Sequence, residues 1–202
     1  MEIRVRLGRS DELPELIELQ SHALKTLCAR DYDPQQIAAL VSDQANGRKV
    51  MDELLFVADV DGQPIGFSAL IKTQSQIGAV YVHPDWVRQG VGTKLVAAIE
   101  EAAMQRQIRK LRVLSSLTAV PFYRSQNYQS KRSAGFWTQS GVWIPCHLLE
   151  KQLPLPASPV QPSFSSDQVL VVLLLGLLFG IGMCHSERRS EQSNSPTSSY
   201  SR

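Results

Sequence analysis

Apolar and polar positions alternate at the N-terminus: Ile3, Val5 and Leu7 interleave with Glu2, Arg4 and Arg6, as in a half-buried strand, and Gly8 ends the run. The spacing then lengthens. Leu13, Leu16, Ile17, Leu24 and Leu27 mark a helical stripe to about Ala29, with Ser10 as its expected cap and Asp11 and Glu12 in its first turn. Asp33 followed by Pro34 opens a second helix, with Ile37, Leu40 and Val41 on its buried face. Residues 54–60 and 64–71 are β-rich runs joined at Asp61-Gly62, a hairpin signal. After a polar connection, Ile77, Val80, Tyr81 and Val82 form a central strand that Pro84 closes. Leu95, Val96, Ile99 and Ala103 recur at helical spacing behind a turn carrying Gly90 and Gly92. Residues 110–114 alternate into another strand, with Leu111 and Val113 on one face. Residues 136–140 and 142–149 read as a closing pair around Gly141.

Composition changes this picture only at the C-terminal end. The chain has 202 residues, 43% of them hydrophobic, and a formal net charge of +2. That length holds one domain and a tail. Neither the charge nor a basic stripe with interleaved aromatics points to nucleic acid. Cys28, Cys146 and Cys184 are far apart, and with His22, His83, His147 and His185 they make no metal-ligand spacing. No metal is expected. No signal-peptide pattern opens the chain, since residues 1–9 alternate charge with apolar side chains.

Pro154, Pro156, Pro159 and Pro162 with interspersed serines read as a linker over 153–168. Residues 169–184 are apolar and uncharged with no polar face, as in a membrane anchor, although shorter than the ~20 residues of a full crossing. A buried apolar tail is the competing reading. Residues 185–202 form a polar, Ser-rich end. The expectation is a cytoplasmic domain over residues 1–152, anchored to a membrane by 169–184.

The glycine turn carries the candidate chemistry. Gly90 and Gly92 permit a tight strand-to-helix turn and close approach of a ligand to backbone. The helix behind them starts with unsatisfied N–H groups and a positive dipole end, which suit phosphate. The dinucleotide fingerprint does not fit, because Gly-Val-Gly lacks its third glycine and its spacing. The nucleotide-hydrolase phosphate loop also fails, because the Gly-Lys-Ser/Thr order is missing.

Tyr81-Val82-His83-Pro84-Asp85, with Arg88-Gln89-Gly90-Val91-Gly92, resembles the acetyl-CoA-binding signature of the GCN5-related N-acetyltransferases, Q/R-x-x-G-x-G/A. Aligned on the glycines, Val87 stands at the Q/R position, with Arg88 and Gln89 beside it. Ser115-Ser116-Leu117-Thr118-Ala119-Val120-Pro121-Phe122-Tyr123 resembles the same family's second landmark, S-x-N-A-x-x-F-Y, with Thr118 in place of the asparagine. Gln126-Asn127-Tyr128 stands where the family often has L-G-F, and Asn127 tolerates the left-handed backbone of glycine. The resemblance covers about residues 2–152. It implies an α/β fold with a mixed, mostly antiparallel sheet flanked by helices, and acetyl transfer from acetyl-CoA to a primary amine of a small molecule or protein.

By the same resemblance, the backbone of Val80, Tyr81 and Val82 holds the pantetheine arm, and amides from Arg88, Gln89, Gly90, Val91, Gly92 and Thr93 bind the pyrophosphate. The two N-terminal helices flank the acceptor pocket. Tyr123 is the candidate general acid, because a phenol of pKa ~10 can protonate a departing thiolate. The competing reading is a core tyrosine packed against Phe122. The general base is open. Gln76 stands where family members often carry glutamate and cannot accept a proton. The alternatives are a water chain or His83, whose ordinary pKa of ~6.5 suits the task, with His83 reading first as structural; Glu53 and Asp59 have no evident place. The expected partners are acetyl-CoA, an amine acceptor, a membrane and a second copy in a homodimer. The alternative is a non-catalytic CoA-binding or membrane-tethered interaction module on the same fold.

Overall fold

The computed structural model describes residues 2–48 and 53–154. The apolar segment 169–184, the polar tail 185–202 and the linker beyond Pro154 lie outside the described residues. No described helix is long and apolar enough to cross a membrane.

In chain order the elements are β1 (Arg4–Leu7), α1 (Leu13–Leu27), α2 (Pro34–Arg48), β2 (Glu53–Val60), β3 (Gln63–Ile71), β4 (Gln76–Val82), α3 (Val91–Gln105), β5 (Lys110–Ser116), α4 (Val120–Ser125), β6 (Gln129–Trp137) and β7 (Trp143–Gln152). The strands make one sheet in the order β1-β2-β3-β4-β5-β7-β6. Every neighbouring pair is antiparallel except β4 and β5. The expected mixed, mostly antiparallel sheet is therefore present.

Both faces of the sheet are covered, which is why its central strands read as nearly continuous apolar runs. On one face Leu16 and Leu19 of α1 pack on Val57, Phe67, Ala69 and Ala79. On the other, Leu95, Val96 and Ile99 of α3 meet Ala58, Leu70 and Ile77. Buried Ser68 donates its hydroxyl to the Leu95 carbonyl at 3.2 Å, fixing α3 on the sheet.

Local chemistry accounts for most boundaries. Asp61 and Gly62 take positive φ of 53° and 85°, the primed turn geometry that suits a hairpin. Asp33 Oδ1 accepts from the Gln36 N–H at 2.8 Å while Gln36 Oε1 accepts from the Asp33 N–H, a reciprocal cap for α2. Asn127 adopts φ 66°, as its side chain permits.

Three expectations need correction. Ser10 does not cap α1; it opens a short 3-10 turn whose cap is Arg9, with Glu12 Oε2 accepting from the Arg9 N–H at 2.8 Å. Leu7 is exposed, because β1 is an edge strand and Leu7 is its last residue. β6 spans Gln129–Trp137 rather than starting at Phe136, and 138–142 is the turn. Its polar start carries no apolar signal, since only backbone pairing to β7 defines that outer edge.

The sheet opens in the middle. Parallel β4 and β5 are paired only at Gln76–Arg112 and Ile77–Val113. Just beyond, Ala69 pairs with Ala79 and Leu70 with Ile77, leaving Gly78 as an extra residue on β4. Such a bulge bends the strand. Residues 79–82 stay paired to β3, and no described strand pairs with their other edge.

Candidate active site

The cleft between the diverging ends of β4 and β5 holds a cavity of about 170 Å³. Val80, Tyr81 and Val82 line it from β4, Ser115 and Ser116 from β5, and Tyr123 from α4. Gly78 is where the strands part, and a Cβ there would lie 2.7 Å from Glu53 Oε1 and 2.9 Å from Ile71 Cγ1. Glycine is thus demanded by close approach, and the place of its missing side chain is taken by the Glu53 carboxylate.

The glycine turn continues from β4. His83 Nδ1 accepts from the Asp85 N–H at 3.3 Å, and the His83 ring sits edge-on to His22 at 4.9 Å. His83 is therefore engaged as a turn cap, as expected. Gln89 Nε2 donates to the Asp85 carbonyl at 3.0 Å, bracing the loop. Arg88 and Gly90 take positive φ of 63° and 81°. At Gly90 nothing lies within 4 Å of a built Cβ, so conformation, not space, demands glycine there. Gly92 faces Phe122, whose ring carbons would be 3.1 Å from a Cβ, which lets α4 dock on the start of α3.

No side chain caps α3 at Gly90, and the first N–H to find a helical partner is that of Lys94, bonded to the Gly90 carbonyl at 3.1 Å. The amides of Val91, Gly92 and Thr93 have no acceptor within the helix, at its positive end. Arg88, Gln89, Gly90 and Thr93 are exposed. These residues do not line the cavity.

Tyr123 is buried between Phe122 and Tyr128, edge-on to each, with ring centroids at 5.2 and 5.5 Å. Its hydroxyl has no hydrogen-bond partner among the described residues. Burial pushes its phenol well above the ordinary value, and nearby Tyr81 adds to the shift. The group stays protonated at any working pH.

On the opposite side, Leu24, Leu27 and Cys28 come from α1 and its end, Leu40 from α2, Phe136 from β6, and Ile144 and Cys146 from β7. Tyr32 ties these elements together: it accepts from the Leu117 N–H at 2.9 Å and donates to the Pro145 carbonyl at 2.8 Å. Thr118, at the position of the family's asparagine, donates to Asp31 Oδ2 at 2.7 Å across the rim. Burial raises both thiols, Cys28 and Cys146, so neither is a ready nucleophile.

Glu53 is the residue that sequence reasoning could not place. It starts β2 opposite Ile71, which in turn pairs with Gln76, and its side chain reaches across to the bulge. Gln76 stands near the position where a carboxylate was sought, and Glu53 brings one from two strands away. Asp59 is elsewhere. It accepts from Arg6 Nε at 2.8 Å beside buried Glu12, whose carboxylate receives Arg6 at 2.6 and 3.0 Å. The Arg6 hydrogen bonds hold Glu12 down at about 2. No group of His, Cys, Asp and Glu among the described residues is placed to hold a metal ion.

A family model described as an acetyltransferase (GNAT) domain matches residues 28–138. A GCN5-related N-acetyltransferase structure from Rhodopseudomonas palustris is 26% identical, with a TM-score of 0.70 over 76% of this chain and 97% of that one. The PaiA N-acetyltransferase of Thermoplasma acidophilum, solved with coenzyme A, is 19% identical, with a TM-score of 0.61 over 75% of this chain and 99% of its own. YncA, a putative acetyltransferase of Salmonella typhimurium solved with acetyl-CoA, is 16% identical, with a TM-score of 0.53 over 79% of this chain and 98% of its own. No curated protein matches the sequence.

Proposed function

The chain belongs to the GCN5-related N-acetyltransferase (GNAT) family, and from that premise we propose that it transfers the acetyl group of acetyl-CoA to a primary amine. One observation carries the reading: the edge of β4 that no described strand pairs with leads through the 83–90 loop to the N-terminus of α3, which no side chain caps. An extended pantetheine arm has amide groups that can add to such an edge as a further strand. The pyrophosphate then falls where the first-turn amides of Val91, Gly92 and Thr93 and the helix dipole favour negative charge.

The chemistry follows from what faces the cleft. The neutral amine attacks the thioester carbonyl; a C–N bond forms and the C–S bond breaks. A backbone N–H on the edge of β4 turned toward the cleft stabilises the oxyanion. Tyr123 Oη gives its proton to the departing thiolate. The burial that makes Tyr123 a weak acid also makes an unsolvated thiolate a stronger base, so the transfer stays near balance. The proton lost by the amine passes through water to Glu53, whose carboxylate lies beside Gly78 and does not line the cavity, and a proton returns to Tyr123 through solvent.

Incubating the full chain with acetyl-CoA and a panel of primary amines, with mass spectrometry of the amines, tests the proposal. An N-acetylated product that needs the protein supports it. Binding of acetyl-CoA with no amine acetylated favours a non-catalytic CoA-binding module.

A further inference from the structure

Resting on the transferase reading, we propose that the acceptor is an apolar monoamine, an arylalkyl or alkyl primary amine whose amino group is its only charge. The acceptor side of the cleft is built from Leu24, Leu27, Leu40, Phe136 and Ile144, with the two protonated thiols between them. No Asp, Glu, Lys, Arg or His is among the described residues lining the cavity.

The hydroxyls of Tyr32, Ser115, Ser116 and Thr118 are already engaged. Tyr32 spends its proton on Pro145, Ser115 donates to the Ser116 carbonyl at 2.8 Å, and Ser116 Oγ accepts from the Ala119 N–H at 3.3 Å. Thr118 and Asp31 satisfy each other at the rim. A second ammonium, as in a polyamine or an aminoglycoside, would be buried here without a carboxylate, and an amino-acid carboxylate without a cation. Either is heavily penalised. An apolar body gains instead from every methylene buried. The whole cavity, including the β4–β5 cleft assigned to acetyl-CoA, is about 170 Å³, against the ~150 Å³ apolar cavity known to take benzene, so the acceptor body is no larger than one aromatic ring.

The test is kcat/KM for the full chain at saturating acetyl-CoA, with 2-phenylethylamine, linear alkylamines, spermidine, phenylalanine and a short peptide. We expect 2-phenylethylamine to exceed spermidine, phenylalanine and the peptide by at least ~100-fold, equivalent to two tenfold steps at ~1.4 kcal/mol each for a buried unpaired charge. The alkylamine series should rise by about fourfold per methylene until the cavity is filled. Leu27→Glu, at a half-buried wall position, should move the ratio of spermidine to 2-phenylethylamine at least ~10-fold toward spermidine, because it supplies the missing carboxylate. Wild-type preference for spermidine, phenylalanine or the peptide overturns the proposal and leaves the transferase reading standing. Acetylation of no amine at all overturns both.

Discussion

The two sides of β4 are built on different principles. On the α3 side the candidate cofactor site is made of backbone: the edge of β4 turned away from β3, with which no described strand pairs, and the amides behind Gly90. On the α1 side the candidate acceptor site is made of side chains brought from α1, α2, β6 and β7. A backbone-built site imposes local demands, such as positive φ at Gly90 and close approach of Phe122 at Gly92, and those demands leave a compact motif. A site built from side chains needs only that distant apolar residues converge, and nothing in their spacing marks them apart from an ordinary core.

Substitutions at the join between the two sides should have the largest effects. Tyr123→Phe keeps the ring between Phe122 and Tyr128 and removes only the proton. Turnover should fall about 100-fold, the lower end of what a positioned acid contributes, with the Kd for acetyl-CoA from calorimetry unchanged. Undiminished turnover would return Tyr123 to the core. Glu53→Gln should lower kcat by a similar factor of about 100. It alone should abolish the acidic limb of the kcat–pH profile; a profile that keeps this limb would exclude Glu53 as the base.

Gly90→Val separates the sides. A β-branched residue at φ 81° costs about 1–2 kcal/mol, so acetyl-CoA should bind about tenfold more weakly. The KM for the amine at saturating acetyl-CoA should not change. A shift in the amine KM with no shift in the acetyl-CoA Kd would reverse the assignment of the two sides.

The smallest functional effect belongs to the ion cluster remote from the cleft. Glu12 is held at about 2, below the ordinary carboxylate value. Its contribution to stability is therefore complete above pH ~4.5 and is lost as pH falls through about 2. Arg6→Met should cost about 2 kcal/mol, the value of charge-assisted hydrogen bonds to a buried carboxylate. Denaturant unfolding should also show a weaker loss of stability between pH 4.5 and 2, while both kinetic constants stay fixed.

The same contrast explains what could be read from the sequence. The hairpin at Asp61-Gly62, the αL position at Asn127 and the loop at Arg88–Gly90 were legible because each depends on a local backbone conformation. The Gly78 bulge was not, since its cause lies in Glu53 and Ile71, distant in sequence and adjacent only through sheet register. Glu53 was invisible as a site residue for the same reason. The polar first half of β6 looked like loop because an outer edge strand needs no apolar alternation.

Hydrogen exchange of the full chain, with and without acetyl-CoA at a concentration that calorimetry shows to be saturating, tests the backbone-built site most directly. The account expects slowed exchange in two short stretches, residues 79–82 of β4 and the helix start at residues 91–93, with the acceptor walls at Leu27 and Leu40 unaffected. Binding without protection of these amides, or no binding at millimolar acetyl-CoA, would contradict it.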